Sequence, residues 1–418
     1  MESNEILITG ARVWSGEHES VPAPPTALWI RGGRIHALGA AVLAAPASVR
    51  RLDLPGRVVM PGLIDAHVHL ELDPRLSTPA EQLAVPAPER ERAMVARARA
   101  MLAAGITTAR DCGGGAWREH ALRRAIEAGR HPGPRLLCCG QPLTTPEGHC
   151  AFWGGVVAEP DDVDRVVARQ IEAGSDWIKV IATGGVFTPG SRPRDSQFDA
   201  ATLAAIVTTA ARAGRSVAAH CHGTAGIALA LRAGVRTIEH ASFAGEGGFG
   251  TALDPALMGE LAASDAWVSP TVHAGWLARS TDASGRATDF FVRMSRCLSL
   301  QRAHGVRFIA STDAGIPGVF HDGLAGGLQA LSRYAGMSPV EVLRAATCDA
   351  ADALGLGGVT GRIATGQAAD LVVLPADPLL DLAVLGVPEA VVRAGRWLDL
   401  AELRAEGQDQ AGIDPPPA

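Results

Sequence analysis

One unit, an amphipathic helix followed by a glycine and a short apolar run, recurs along the middle of this chain and constrains its fold more than any other feature. In PERERAMVARARAMLAAG, Pro88 suits a first helical turn, Met94, Val95, Ala98, Met101 and Leu102 share one face, and Gly105 closes the helix before ITTARDC. The same punctuation returns at Gly129, Gly174, Gly214, Gly234 and Gly305, followed in turn by RLLCC, DWIKVIA, RSVAAH, RTIEHA and VRFIAST. With VMPGLIDAHVHL as the first run and AWVSPTV as the seventh, eight strands alternate with helices. Such alternation implies a parallel sheet. Eight units over roughly 290 residues fit a closed (β/α)8 TIM barrel, whose usual size is about 250 residues. The predicted class is therefore α/β, with the barrel over residues 61–357.

A doubly wound open sheet is the competing arrangement. The G-x-G-x-x-G match in GEGGFG (Gly245, Gly247, Gly250) follows the polar EHASFA instead of joining a strand to a helix, so it reads as a loop and not as a dinucleotide cradle. The two ends of the chain have another texture. EILITGARVW, ALWIRGGRIHALG and RRLDLPGRVVMPG are short strand-like runs broken by Gly and Pro, and GRIATGQAADLVVLPADPL and AVVRAGRWLDL repeat the pattern near the other end. A small β-sandwich assembled from residues 1–60 and 358–405 is expected, with a disordered polar tail over 406–418.

A formal net charge of -6 with no Lys/Arg cluster argues against a nucleic-acid partner, because phosphate binding needs a basic face. MESNEILITG lacks a positive n-region and long apolar run, and no stretch is long enough for a membrane span, so a cytoplasmic protein is expected. The seven cysteines form no C-x-x-C pair and read as reduced, buried thiols. Cys221, between His220 and His222, points to the opposite strand face from its neighbours and is not taken as a nucleophile.

Chemistry on a barrel of this kind sits at the C-terminal ends of the strands. His67 and His69 close the first strand, Lys179 lies in the fourth, His220 and His222 end the fifth, His240 ends the sixth and Asp313 ends the eighth. Residues two apart share a strand face, so H-V-H presents two imidazoles inward. A lone strand histidine is more often a hydrogen-bonded core residue, but this many metal-type groups at equivalent strand ends need a cation to offset their desolvation. Lys179 is the single lysine among 38 Lys and Arg residues. Arginine serves everywhere else, and only an amine can lose its proton and react. Set among Trp177, Ile178, Val180 and Ile181, a neutral amine there can add carbon dioxide to give a carbamate able to bridge two ions. A lysine paired with a carboxylate such as Asp313, or with a substrate anion, is the alternative.

Taken in order, MPGLIDAHVHL, DWIKVIATGGV, AAHCHG, TIEHAS, STDAG and GRIATGQAADLVVL resemble the amidohydrolase superfamily, closest to the imidazolonepropionase-like branch that also holds prolidase-like dipeptidases and acyl-amino-acid and aryl-amide hydrolases. The resemblance covers nearly the whole chain. It implies that His67 and His69 with Asp313 hold one divalent ion, that His220 and His240 hold a second, and that carbamylated Lys179 bridges them, zinc being the expected metal. It also implies the barrel and composite β-sandwich. The His220–His240 separation matches the branch, which leaves His222 to contact substrate. The implied reaction is hydrolysis of an amide, peptide-like or cyclic-amide C–N bond by a hydroxide shared between the ions, with Asp313 as general base and acid. His222 would stabilise the oxyanion. His149, in TTPEGHCAFWGG, resembles the histidine that this branch places near substrate.

His273 and His321 follow the seventh and eighth strands and are expected to line the pocket, whereas Tyr334 reads as packing. Arg192 and Arg194, after the lysine strand, are candidates to meet a substrate carboxylate. His18, His36, His120, His131 and His304 are assigned no function. A homo-oligomer acting on a small-molecule substrate is expected. Two rival readings stand beside it: a mononuclear deaminase on the same fold, for which a bridging carbamate has no use, and a non-catalytic barrel that binds a partner.

Overall fold

The computed structural model describes residues 5–17, 19–21, 25–281 and 287–409. His18 and residues 410–418, the larger part of the expected tail, lie outside them; residues 406–409 belong to the helix Leu400–Asp409.

The middle of the chain is mixed α/β. Strands Leu63–Val68, Ile106–Asp111 and Arg135–Cys138 form one parallel sheet, and Trp177–Ile181, Ser216–Gly223, Thr237–Ala244 and Trp267–Ser269 form another. Helices alternate with them as the apolar periodicity predicts. Helix Ala87–Ala103 buries Met94, Ala98, Met101 and Leu102 on the expected face. Glycine ends such helices because its left-handed backbone carries no Cβ clash, as at Gly105 (φ +84°) and Gly234 (φ +87°). Ser338 and Glu341 form a capping box over the first turn of helix Pro339–Ala345.

Hydrogen bonds outside the ladders join the two sheets on both sides. Leu143 donates to the Lys179 carbonyl (2.8 Å) and its own carbonyl accepts from Ile181 (2.8 Å). On the other side, Ile309 donates to Val268 (2.9 Å), Ala66 to Ala310 (3.1 Å) and His69 to Ala314 (2.7 Å). The eighth run, VRFIAST, therefore occupies the expected place but not the expected ladder: Phe308 makes only a single bridge, to Val268. Its backbone groups pair elsewhere. Ala310 donates to the carbonyl of Ala345 at the end of a helix (2.8 Å), and Thr312 donates to the Asp65 carboxylate (3.1 Å).

The terminal segments interleave. Arg12–Val13 and Val58–Pro61 from one end share a five-stranded sheet with Leu371–Leu374, Ala390–Arg393 and Arg396–Leu398 from the other. Ile6–Thr9, Leu28–Arg31, Arg34–Leu38 and Arg50–Asp53 form a four-stranded sheet. Ile8, Leu28 and Ile30 of the second sheet and Val59, Leu371 and Val373 of the first meet in one apolar cluster. The chain passes from terminal sheet to central sheet at Gly62, where a Cβ would lie 2.1 Å from Thr107 Oγ1, so a side chain has no room. Among the described residues no helix is long and apolar enough to cross a membrane.

Candidate metal centre

The C-terminal ends of the central strands converge on a cavity of about 420 Å³ lined by His67, His69, His149, Lys179, His220, His222, His240, His273 and Asp313 together with apolar side chains. All eight residues singled out from the sequence as metal ligands or substrate contacts are thus brought together. His273 also lines the cavity. His321 does not: it is buried, with Nε2 donating to the His69 carbonyl (3.1 Å), because its loop turns it under the first strand. Arg192 and Arg194 are not among the lining residues either, being paired with Asp195 and, for Arg194, with Glu246. Tyr334 packs against Trp276 and Phe291, as expected.

Each imidazole is tied down on its outer nitrogen. His67 Nδ1 donates to Glu239 Oε2 (2.8 Å), which leaves Nε2 facing Lys179 Nζ (3.2 Å) and Asp313 Oδ1 (3.3 Å). His69 Nδ1 donates to the Gly113 carbonyl (2.8 Å), and its Nε2 lies 3.5 Å from the same Asp313 oxygen. His220 Nε2 donates to the Gly184 carbonyl (3.1 Å), so Nδ1 turns inward, 2.8 Å from His240 Nε2. His240 Nδ1 bonds Thr271 Oγ1 (2.8 Å), and His222 Nδ1 bonds Ser242 Oγ (2.9 Å). His149 bonds Thr188 Oγ1 (3.0 Å), and its ring lies 4.9 Å from that of His220. Carbonyl acceptors fix the tautomers of His69 and His220, the arrangement that aims the other nitrogen at a metal.

Electrostatics agree with a cation-shaped centre. Burial drives the pKa values of His220 and His240 well below the ordinary histidine range, and the neighbouring imidazoles add to the effect, so both rings are neutral donors. His222 falls to about 3 and His149 to about 4 for the same first reason. Burial also disfavours a charged His67, but Cys112 and Asp313 outweigh it and raise that ring to about 9, so a metal there displaces a proton. His67, His240 and Asp313 form one cluster of ligand atoms within 4.8 Å of one another, and His220, His222 and His240 form another. The neutral imidazoles of His220 and His240 and the carboxylate of Asp313 are groups able to hold a divalent metal ion.

Lys179 is 1% exposed, and among the described residues its nitrogen is bonded to His67 and ion-paired with no carboxylate. The expected alternative of a pair with Asp313 is not formed.

Sequence reasoning missed the support beneath the centre. Glu239, itself fully buried, accepts from Arg110 Nη2 (2.7 Å) and Thr237 Oγ1 (2.5 Å) as well as from His67. Burial opposes its charge, yet Arg110 and His67 more than offset this and hold the carboxyl well below its usual range. Asp65 accepts from the Thr312 hydroxyl (2.6 Å), linking the first strand to the segment that carries Asp313, and burial pushes its pKa up to about 7.

Residues 58–398 match the sequence model of the Amidohydrolase family. The chain belongs to the amidohydrolase family. It is a hydrolase acting on carbon–nitrogen bonds, and its relatives fit the imidazolonepropionase-like branch. Ochratoxinase of Aspergillus niger is 29% identical over 367 residues, covering 80% of this chain and 73% of that protein. Its crystal structure superposes with a TM-score of 0.78, over 95% of this chain and 96% of that one. Imidazolonepropionase of Chloroflexus aggregans is 28% identical over 395 residues, 84% of each. A Xaa-Pro dipeptidase crystallised with methionine in its active site is similar at 25% identity and a TM-score of 0.83, over 94% of this chain and 100% of that one.

Proposed function

We propose that this protein is a binuclear metal-dependent amidohydrolase that cleaves an amide, peptide-like or cyclic-amide bond of a small molecule. The reading rests on one observation: four buried imidazoles present inward-facing nitrogens around a buried lysine and a carboxylate. His67, His69 and Asp313 would hold one ion and His220 and His240 a second, with zinc the expected metal. Lys179 would bridge them as a carbamate, its amine adding carbon dioxide with formation of an N–C bond and release of a proton. When bound, such ions lower the pKa of water toward neutrality and polarise a carbonyl.

The side chains supply the rest. Asp313 Oδ1, between His67 and His69, takes the proton of the attacking water and passes it to the leaving nitrogen, a role that general acid–base catalysis values at about 10²–10⁴ in rate. His222, oriented by Ser242, donates to the developing oxyanion. His149 borders the substrate from its loop. The out-of-ladder bonds through Leu143 and Ile309 support a closed (β/α)8 barrel over residues 61–357, and the shared apolar cluster supports a β-sandwich built from residues 1–60 and 358–405.

Metal analysis with an amide panel tests this reading. The purified chain is expected to hold two ions and cleave amides, and Lys179→Ala to lose metal and turnover together. A Lys179→Ala protein with full metal and full turnover overturns the bridge. A metal-to-protein ratio near one in the active wild type favours the one-metal deaminase.

A further inference from the structure

Six rings around the cavity form a row, with His220 and His149 branching from its middle at His240 and His222. Trp153 stacks on His69 (centroids 5.3 Å apart, 30° between planes), His69 meets His67 at 5.3 Å, and His67 meets His240 at 5.3 Å. His240 then stacks on His222 at 4.4 Å, and His222 meets Phe249 at 4.9 Å. Each end of this row continues into an apolar wall. Phe152 connects Trp153 (5.0 Å) to Phe187 (6.0 Å) at one end, and Phe290 connects Phe249 (6.1 Å) to Trp276 (5.7 Å) at the other. Different elements build them: Phe187 stands on the loop after the lysine strand, Phe249 on the GEGGFG loop and Phe290 on helix Asp289–Ala303. Asp313 and the inward-facing nitrogens occupy the middle.

A carbonyl reacting at the middle of such a row directs its two substituents toward the two ends. Among the described residues that line the cavity, Lys179 is the one Lys or Arg side chain, and it is buried at the centre against His67. A substrate carboxylate lying along either wall would therefore exchange its water for a surface that offers no guanidinium or ammonium group, a large cost. Resting on the hydrolase reading above, we infer that the substrate is an uncharged amide carrying an apolar, ring-sized group on both its acyl and its amine side. This sets the chain apart from enzymes that grip a free amino-acid carboxylate.

Four matched amides test the inference on the zinc-supplemented full chain. N-phenethylbenzamide carries both rings, N-phenethylacetamide lacks the acyl ring, N-ethylbenzamide lacks the amine-side ring, and N-benzoylphenylalanine adds a carboxylate. The two-ring neutral amide is expected to exceed each of the others in kcat/KM by about tenfold or more, the discrimination a hydrophobic pocket provides. Phe187→Ala and Phe249→Ala are expected to shift the ratio of the two single-ring substrates in opposite directions. Equal or greater kcat/KM for N-benzoylphenylalanine overturns the inference, as does a shift in the same direction for both variants. Calorimetric binding of the four compounds ranks them even where none is cleaved. A lack of turnover then counts against the catalytic reading, and a reversed ranking against this one.

Discussion

The two halves of the histidine cluster are supported by different chemistry. His67 rests on a carboxylate that is itself held by Arg110 and Thr237, and both His67 and His69 face a second carboxylate, Asp313. His220 and His240 rest on a carbonyl and a hydroxyl, and His222 on another hydroxyl. A carboxylate behind an imidazole raises its basicity and its hold on a metal, whereas a neutral acceptor mainly sets its orientation. The first half thus gathers the carboxylates, and the second presents neutral nitrogens in fixed directions. If the halves each hold an ion, removal of support should cost far more on the carboxylate side.

The largest effect belongs to the group that only the first half possesses. Asp313→Asn is expected to lower kcat by about 10³–10⁴-fold, near the upper end for general acid–base catalysis, while the unfolding midpoint changes little. Rates near wild type in that variant would remove Asp313 as proton carrier and erase the functional difference between the halves.

Glu239→Gln comes next. Arg110 and Glu239 are both 0% exposed, and Arg110 Nη2 donates to Glu239 Oε1 at 2.7 Å. Neutralising the acid leaves a buried guanidinium without its counter-charge, which costs about 3 kcal/mol of stability. Zinc affinity is expected to fall by roughly 10–100-fold as His67 loses its anionic partner. Chemical denaturation and a chelator competition read the two effects separately. Unchanged values in both would show that the carboxylate does not distinguish this half.

How much of this was legible in the sequence follows from strand geometry. The H-V-H pair, the lysine in its apolar run and the helix-ending glycines obey regular periods of 2 and 3.6, so their placement could be read directly. Glu239 could not. Alternation assigns adjacent Glu239 and His240 to opposite faces, yet both face the centre because His240 (φ +69°) and Ala241 (φ +43°) adopt left-handed backbone that breaks the alternation. Asp313 (φ +62°) ends its irregular segment in the same way. Such conformations cost about 1–3 kcal/mol each in residues with a side chain, and they cluster here because the surrounding contacts impose them. No residue type announces them. Phe249 was missed for a related reason: GEGGFG reads as a loop, and a loop's composition does not say which wall it completes. The interleaving of the chain ends was visible as texture, but its register, such as Val59 opposite Val373, depends on partners more than 300 residues apart.

The smallest effect tests the neutral half. Thr271 sits at φ +52°, and valine keeps the same branched shape, so Thr271→Val removes the hydroxyl behind His240 without adding backbone strain. Loss of one neutral hydrogen bond costs about 1 kcal/mol, and freeing the ring weakens zinc binding by about tenfold, the low end for such outer partners. The expected order in chelator competition is therefore Glu239→Gln well below Thr271→Val, and Thr271→Val below wild type. Equal losses in the two variants would mean that orientation alone governs both halves. A greater loss in Thr271→Val would invert the asymmetry, and the tighter ion would then belong to His220 and His240, whose inner nitrogens already lie 2.8 Å apart.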